Sequence, residues 1–505
     1  MFTPNPITAF DFYKADHISQ YPPGTDMVYS NFTPRSDRLA RVIKDQWESK
    51  IVFAGLQALL IKFFIGEFTE KFFSLPKEEA VGAFVRRMKT SLGEGAVDSS
   101  HIAALHDLGY LPIVIKALPE GSHVPMQVPV MTIKNTLPEF YWLTNAFETV
   151  LSMYLWKPCT SATIAFEYRK LLEAYAAKTG TAIEFVDWQA HDFSMRGMSG
   201  FDDAMMSSFG HLLSFTGTDT IPAIDFVERF YGANADTELV AGSVPATEHS
   251  VMCMGMQDGE EETFRRLIED TYPNGIVSIV SDTWDFWSVM TKIAPSLKEK
   301  ILARDGKVVF RPDSGDPVKI LCGERFTTVS SIKNAVQDIQ WSVDVETPHG
   351  ECGVGERTEI FLIDGEYHEV TATIDWSRYD KRFYYIEECI LKSSRVVELT
   401  PEQKGAVQVL WEGFGGTLTS TGHKLLDSHI GLIYGDSITL DRAKEILEQL
   451  EAKGFASGNV VFGVGSYTYE YVTRDTFGFA MKATAGSVNG ELREIFKDPV
   501  TDNGV

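Results

Sequence analysis

Four stretches of the chain run apolar in the manner of buried strands and then break into short clusters of polar, acidic or glycine residues. Ile276–Val280 leads into Ser281-Asp282-Thr283, and Val308–Phe310 into Arg311-Pro312-Asp313-Ser314-Gly315. Ile430–Tyr434 leads into Gly435-Asp436-Ser437, and Val460–Phe462 into Gly463-Val464-Gly465-Ser466. A fifth run, Ala182–Val186, is followed within a few residues by His191-Asp192-Phe193-Ser194-Met195-Arg196-Gly197. Helical periodicity over Thr160–Ala177, Glu260–Asp270 and Asp441–Lys453 separates these runs. The alternation predicts a parallel sheet or α/β barrel. Such folds place their chemistry at the C-terminal ends of strands. Any one of these clusters reads equally well as a turn. Five in one chain point to a built site.

The flanking regions follow other patterns. Residues 1 to about 155 predict a mixed α+β domain. Its strands are Leu111–Leu118 and Val130–Ile133, and Pro138–Leu151 reads as a helix. Ile51–Phe68 is the most apolar run, but Gln57, Lys62 and Glu67 interrupt it, so it reads as a buried amphipathic helix and not a membrane span. Residues 322–404 carry short β-like runs at Ile339–Val345, Thr358–Ile363, Glu369–Ile374, Arg382–Ile386 and Arg395–Leu399. Asp364-Gly365 supplies a hairpin turn between two of them. The expected organisation is therefore an N-terminal domain over 1–155, joined by the C-terminal segment 483–505. An α/β barrel follows over 156–321 and 405–482, with an antiparallel β subdomain inserted at 322–404. The insertion reads as a structural or oligomer-contact module.

Composition narrows the function. The 505 residues are 44% hydrophobic and 23% charged, an ordinary globular profile, and the net charge is −24. That charge excludes a non-specific nucleic-acid binder. It leaves room for an anionic small substrate, because a few Arg and Lys can set the field of one cleft. The five cysteines are scattered without a C-x-x-C pair. This implies a reduced, cytoplasmic protein without a structural zinc site. Met1–Phe10 has no charged and then apolar signal-peptide pattern.

The strand ends suggest a specific chemistry. Arg311 can grip phosphate or pyrophosphate through two parallel N–H bonds. Asp313, Asp282 and Asp436 can take ribose hydroxyls or Mg²⁺, which favours one or two carboxylates plus phosphate oxygens. Gly463–Ser466 offers backbone amides to a phosphate. Together these suit a phosphorylated sugar that loses pyrophosphate. An aldolase or isomerase on the same scaffold would usually want a lysine or a base at a strand end, and none of the five ends carries a lysine.

Ordered blocks along the chain carry a family resemblance. They begin at Asp11-Phe12-Tyr13-Lys14, His17 and Gln20-Tyr21-Pro22-Pro23, and continue through Phe53–Gln57, Leu111–Ile113 and Tyr141–Asn145. His191–Phe193 with Arg196-Gly197, Phe215–Asp219, Ser243–Ala246 with Glu248-His249-Ser250, and Thr473–Asp475 follow, ending at Phe496–Val500. In these blocks the chain resembles the nicotinamide phosphoribosyltransferases. The resemblance implies a homodimeric type II phosphoribosyltransferase on an irregular α/β barrel, acting in NAD salvage on nicotinamide and phosphoribosyl pyrophosphate. It implies that Phe193 and the other subunit's Tyr13 sandwich the pyridine ring, and that Asp219 accepts from the carboxamide. Arg196, Arg311 and Ser314 would bind phosphate or pyrophosphate, and Gly435, Asp436 and Asp313 the ribose. Gly465 and Ser466 would bind the 5′-phosphate, with Arg35, Arg474 and Lys482 reaching in from the partner. Asp282 and Asp313 would lie nearest Mg²⁺. His249 would be the phosphorylated histidine through which ATP stimulates the reaction. Ser466 departs from the family's common glycine, and a longer basic C-terminal segment would be expected. A nicotinate or quinolinate phosphoribosyltransferase would need a cation in place of Asp219. A non-catalytic binding protein would be expected to lack the carboxylates or His249.

Overall fold

The computed structural model describes residues 5–41, 47–342, 352–378, 384–435 and 438–497. It divides into two compact units. One comprises Met1–Pro245, Ile433–Lys444 and Ala456–Val505; the other comprises Ala246–Leu432 and Glu445–Phe455.

The first unit contains a five-stranded antiparallel sheet. Its spatial order is Glu491–Glu494, Ala480–Val488, Thr25–Thr33, Met131–Asn135 and Ile113–Ala117. Helix Trp142–Thr179 is its longest element. The sequence predicts two helices here, Pro138–Leu151 and Thr160–Ala177. The structure makes one, running through Pro158. A proline inside a helix removes one backbone bond and costs roughly 3 kcal/mol. Continuous burial of Leu151, Leu155, Cys159 and Ala162 on either side offsets that cost.

Ile51–Phe68 also differs from expectation. Lys50–Val52 is a strand paired with His123–Pro125, and helix begins only at Leu56. Its aromatic face packs Phe64 and Phe68 edge-on against Phe147. Ala182–Val186 is not a strand. Helix Ile183–Gln189 occupies it, and the strand is Ala190–Asp192. Val186 and Gln189 are buried while Ile183 is exposed, a spacing of three that suits a helix face. Ala190–Asp192 pairs in parallel with Val460–Val464, and parallel bridges Asp192↔Thr218 and Gly217↔Gly242 extend this run.

The second unit holds the remaining parallel strands. Asn274–Val280 pairs with Asp305–Arg311, and Val308–Phe310 pairs with Ile430–Leu432. A parallel bridge joins Ala246 to Ser278. Four of the five short runs expected in 322–404 fall on three long antiparallel strands, Cys352–Ile363, Glu366–Arg378 and Tyr384–Val396. Asp364 (φ 50°) and Gly365 (φ 85°) form the predicted hairpin turn. Ile339–Val345 was expected as a strand, but helix Ile332–Ser342 covers its described part. Ile332, Ala335, Val336 and Ile339 form a helical stripe that starts upstream of the apparent alternation. Residues 343–345 lie outside the described residues.

Candidate active site

The predicted residues fall into two groups, one in each unit. In the first unit, Asp192 organises the ends of the parallel strands. Its buried carboxylate accepts from the Ser194 N–H (3.0 Å) and hydroxyl (2.5 Å), and from the Thr218 (2.9 Å) and Thr220 (3.1 Å) hydroxyls. Its backbone bonds to Gly217 and Asp219 complete the anchor. A fully satisfied buried carboxylate stiffens its surroundings. Here it fixes the two neighbouring side chains of interest, Phe193 and Asp219.

Asp219 Oδ1 accepts from the Ser243 hydroxyl at 2.7 Å and lies 2.9 Å from His191 Nε2. Its side chain remains 48% exposed. The His191 ring lies 4.8 Å from that of Phe193. Phe193 is half-buried and not a core side chain. Its N–H bonds to Val464 at 2.9 Å. A Cβ on Gly463 would meet the Phe193 ring at 2.5 Å and the Gly435 backbone at 2.7 Å, so this position has no room for a side chain. A Cβ on Gly197 would collide with the Ser466 side chain. Ser466 thus fits because its neighbour is glycine. Exposed Arg196 is beside this contact. Gly465 and Ser466 open the short helix Ser466–Tyr469, leaving first-turn amides for an anion.

Arg35, Arg474 and Lys482 gather at one antiparallel corner. Arg35 bonds to the Phe477 and Gly478 carbonyls, Arg474 to Asp475, and Lys482 is paired in register with Asn31. Tyr13 is exposed and packs edge-on against His17 at 5.2 Å. Burial raises its phenol above the ordinary value, with Asp11 adding to the effect. Asp436 lies outside the described residues.

In the second unit, Asp282 gathers the phosphate-type turn. Its Oδ2 accepts from the Asp313 N–H at 2.9 Å and the Ser314 hydroxyl at 2.6 Å. The Asp282 side chain is only 5% exposed, yet Oδ1 has no hydrogen-bond partner among the described residues. Arg311 Nε is a second buried orphan. Buried polar atoms without partners are costly, and a buried acceptor and a buried donor of this kind suit the binding of a polar ligand. His249 opens helix His249–Met254. Its Nδ1 lies 3.2 Å from the Thr283 hydroxyl, and its Nε2 lies 4.0 Å from Asp282 and 3.8 Å from Asp313. An imidazole nitrogen facing two carboxylates, half open to solvent, is placed for nucleophilic chemistry.

Comparison with known proteins follows the same lines. The model of the nicotinamide phosphoribosyltransferase N-terminal domain matches residues 5–85. The model of the nicotinate phosphoribosyltransferase family matches 188–347 and 391–504. The nicotinamide phosphoribosyltransferase of Acinetobacter baylyi is 54% identical over 509 residues, covering the whole of this chain and 86% of the relative. That of Mycoplasma pneumoniae is 31% identical over 508 residues, covering 98% of this chain and 92% of the relative. The chain belongs to the nicotinamide phosphoribosyltransferase family. Its fold class is the α/β one of the type II phosphoribosyltransferases, with antiparallel sheets beside the parallel strands. The gap between the two segments of the nicotinate phosphoribosyltransferase model, 348–390, falls within residues 322–404.

Sequence reasoning missed four supporting residues. His191, Asp192 and Ser243 stand inside the family blocks, but nothing in their spacing says that they meet at Asp219. Thr283 reads as an ordinary turn residue until His249 is seen beside it.

Proposed function

We propose that the protein transfers the phosphoribosyl group of phosphoribosyl pyrophosphate to nicotinamide, giving nicotinamide mononucleotide and pyrophosphate, as a step of NAD salvage in the cytoplasm. The carrying observation is Asp219. A carboxylate held on one oxygen by Ser243 and His191, with His191 packed against the Phe193 ring, favours a ligand that donates N–H and repels one carrying a carboxylate. The pyridine nitrogen attacks C1 of the ribose with its own lone pair, so no base is needed. Phe193 stacks on the ring, joined from the other side by Tyr13 of a second copy in a homodimer. Gly465, Ser466 and Arg196 take phosphate, and Arg35, Arg474 and Lys482 come from the second copy. Arg311 neutralises the departing pyrophosphate and Ser314 donates a hydrogen bond to it, while Asp313, Gly435 and Asp436 orient the ribose. Catalysis is then positioning plus electrostatic stabilisation of a cationic sugar and its leaving group.

Mg²⁺ fits Asp282 and Asp313. The donors are hard oxygens, and Asp282 Oδ1 is buried and orphaned. Among the described residues no cluster of three or more His, Cys, Asp or Glu side chains could hold a metal, so phosphate oxygens would complete the shell. Bound there, the ion would neutralise charge on the pyrophosphate. His249 accepts a phosphoryl group from ATP and couples its hydrolysis to product formation.

Purified protein with phosphoribosyl pyrophosphate and Mg²⁺, offered nicotinamide or nicotinate with and without ATP, tests this reading. Nicotinamide mononucleotide as the product supports it, and ATP should raise the yield for wild type but not for H249A. Nicotinate mononucleotide as the main product overturns the substrate assignment. Equal ATP stimulation in H249A removes His249 from the coupling.

A further inference from the structure

Lys157 has no part in the chemistry above, yet it is 1% exposed in the middle of helix Trp142–Thr179. Burying an ammonium ion is expensive unless it is paired and hydrogen-bonded. Its Nζ lies 2.5 Å from Glu470 Oε2 and 3.1 Å from Asp203 Oδ1. Both carboxylates continue to Ser199. Glu470 Oε1 accepts from the Ser199 hydroxyl at 2.6 Å, and Asp203 Oδ2 accepts from the Ser199 N–H at 2.9 Å. Ser199 follows Arg196 by three residues. Glu470 follows Ser466 by four, and its N–H bonds to the Ser466 carbonyl at 2.6 Å. One buried cation thus holds the loop that carries Arg196 and the turn that carries Gly465 and Ser466. A second buried link holds the residue before Glu470: the Tyr469 hydroxyl lies 2.7 Å from His211 Nδ1 and His211 Nε2 lies 3.0 Å from the Gly217 carbonyl.

We propose that Lys157, Glu470 and Ser199 form a positioning clamp for the phosphate of phosphoribosyl pyrophosphate, setting the spacing between Arg196 and the Gly465-Ser466 amides. The inference rests on the phosphate role proposed for those residues. The contact between Gly197 and Ser466 explains why a clamp is needed. The two segments pack with no room for a Cβ, so a small separation would remove several phosphate contacts together. None of the clamp residues faces the Asp219 carboxylate, so the nicotinamide subsite should not depend on it.

Steady-state kinetics on E470Q, S199A and S199T, varying each substrate in turn, test the clamp. E470Q keeps the size of the side chain and removes the charge. It should raise KM for phosphoribosyl pyrophosphate about tenfold and leave KM for nicotinamide within about twofold. S199A should move the same constant in the same direction by about threefold. S199T keeps the hydroxyl and should restore it. Ser199 is exposed, so S199A and S199T keep the question answerable if E470Q fails to fold. An unchanged KM for phosphoribosyl pyrophosphate in S199A, or an equal rise for both substrates, overturns the clamp while leaving the reaction intact. A wild-type protein that makes no nicotinamide mononucleotide overturns the underlying reading, and the clamp with it.

Discussion

Asp219 shows how one side chain can set a substrate preference. Ser243 and His191 hold its Oδ1, His191 packs against the half-buried Phe193 ring, and nearly half of the Asp219 side chain is open to solvent. A carboxamide brings donors to such a group. A nicotinate carboxylate at about 4 Å would meet like-charge repulsion of roughly 4 kcal/mol at an effective dielectric of about 20. A hydrogen bond to a charged group contributes about 1.5–3 kcal/mol. Asp219→Ser should therefore lower kcat/KM for nicotinamide by about ten- to a hundredfold and narrow the discrimination against nicotinate. Parallel assays with both substrates read this directly, and an unchanged preference ratio would remove Asp219 from substrate choice.

At the scale of elements, helix starts carry charge for different reasons. Helix Glu260–Arg266 opens on three consecutive glutamates, which favour its positive end. Glu260 is the exception among them, because it is buried and its Oε1 has no hydrogen-bond partner among the described residues. Burial, with Asp285 nearby, pushes its carboxyl up to about 7. The unfolded chain releases that proton near pH 4.5, whereas the folded protein keeps it until about 7. The resulting penalty is absent at pH 4, grows between about 4.5 and 7, and is complete above that. Glu260→Gln should raise thermal stability at pH 8 by about 1 kcal/mol and give little gain at pH 4.5. A gain independent of pH would show that the titration is not responsible.

Elements also decided what could be read in advance. The ends at 281–283, 311–315 and 463–466 were legible because an apolar run followed by turn residues is a local signal. Ala182–Val186 was misread because four apolar residues around Glu184 fit a strand or a short helix equally well, and only burial at Val186 and Gln189 separates them. Ile339–Val345 failed for the same reason, its stripe beginning seven residues earlier at Ile332. The supporting contacts were invisible because they join distant positions. His191 and Ser243 lie 28 and 24 residues from Asp219, and Lys157 lies 313 from Glu470. No periodicity connects such pairs, and only the folded backbone brings them together.

At the scale of the whole molecule, the net charge of −24 must coexist with an anionic substrate. Arg35, Arg474 and Lys482 concentrate positive charge at one corner of the antiparallel sheet. Tyr13 and Phe12, 67% and 51% exposed, lie on one short turn, an unusual amount of aromatic surface for three residues. Both features are accounted for if this surface completes the pyridine and phosphate sites of a second copy in a two-fold dimer. The test is complementation. Tyr13→Ala and Asp313→Ala should each depress activity as pure proteins, the first through a roughly tenfold higher KM for nicotinamide. In a subunit-exchanged mixture, half the dimers are mixed, and each mixed dimer contains one site with both native residues if Tyr13 acts across the interface. Activity should then recover to about a quarter of the wild-type value. If Tyr13 serves its own subunit, every site in the mixture retains at least one defect and no native site appears. The same mixture of Lys482→Ala with Asp313→Ala extends the argument to the cations: recovery places Lys482 across the interface with Tyr13, and its absence places Lys482 in its own subunit.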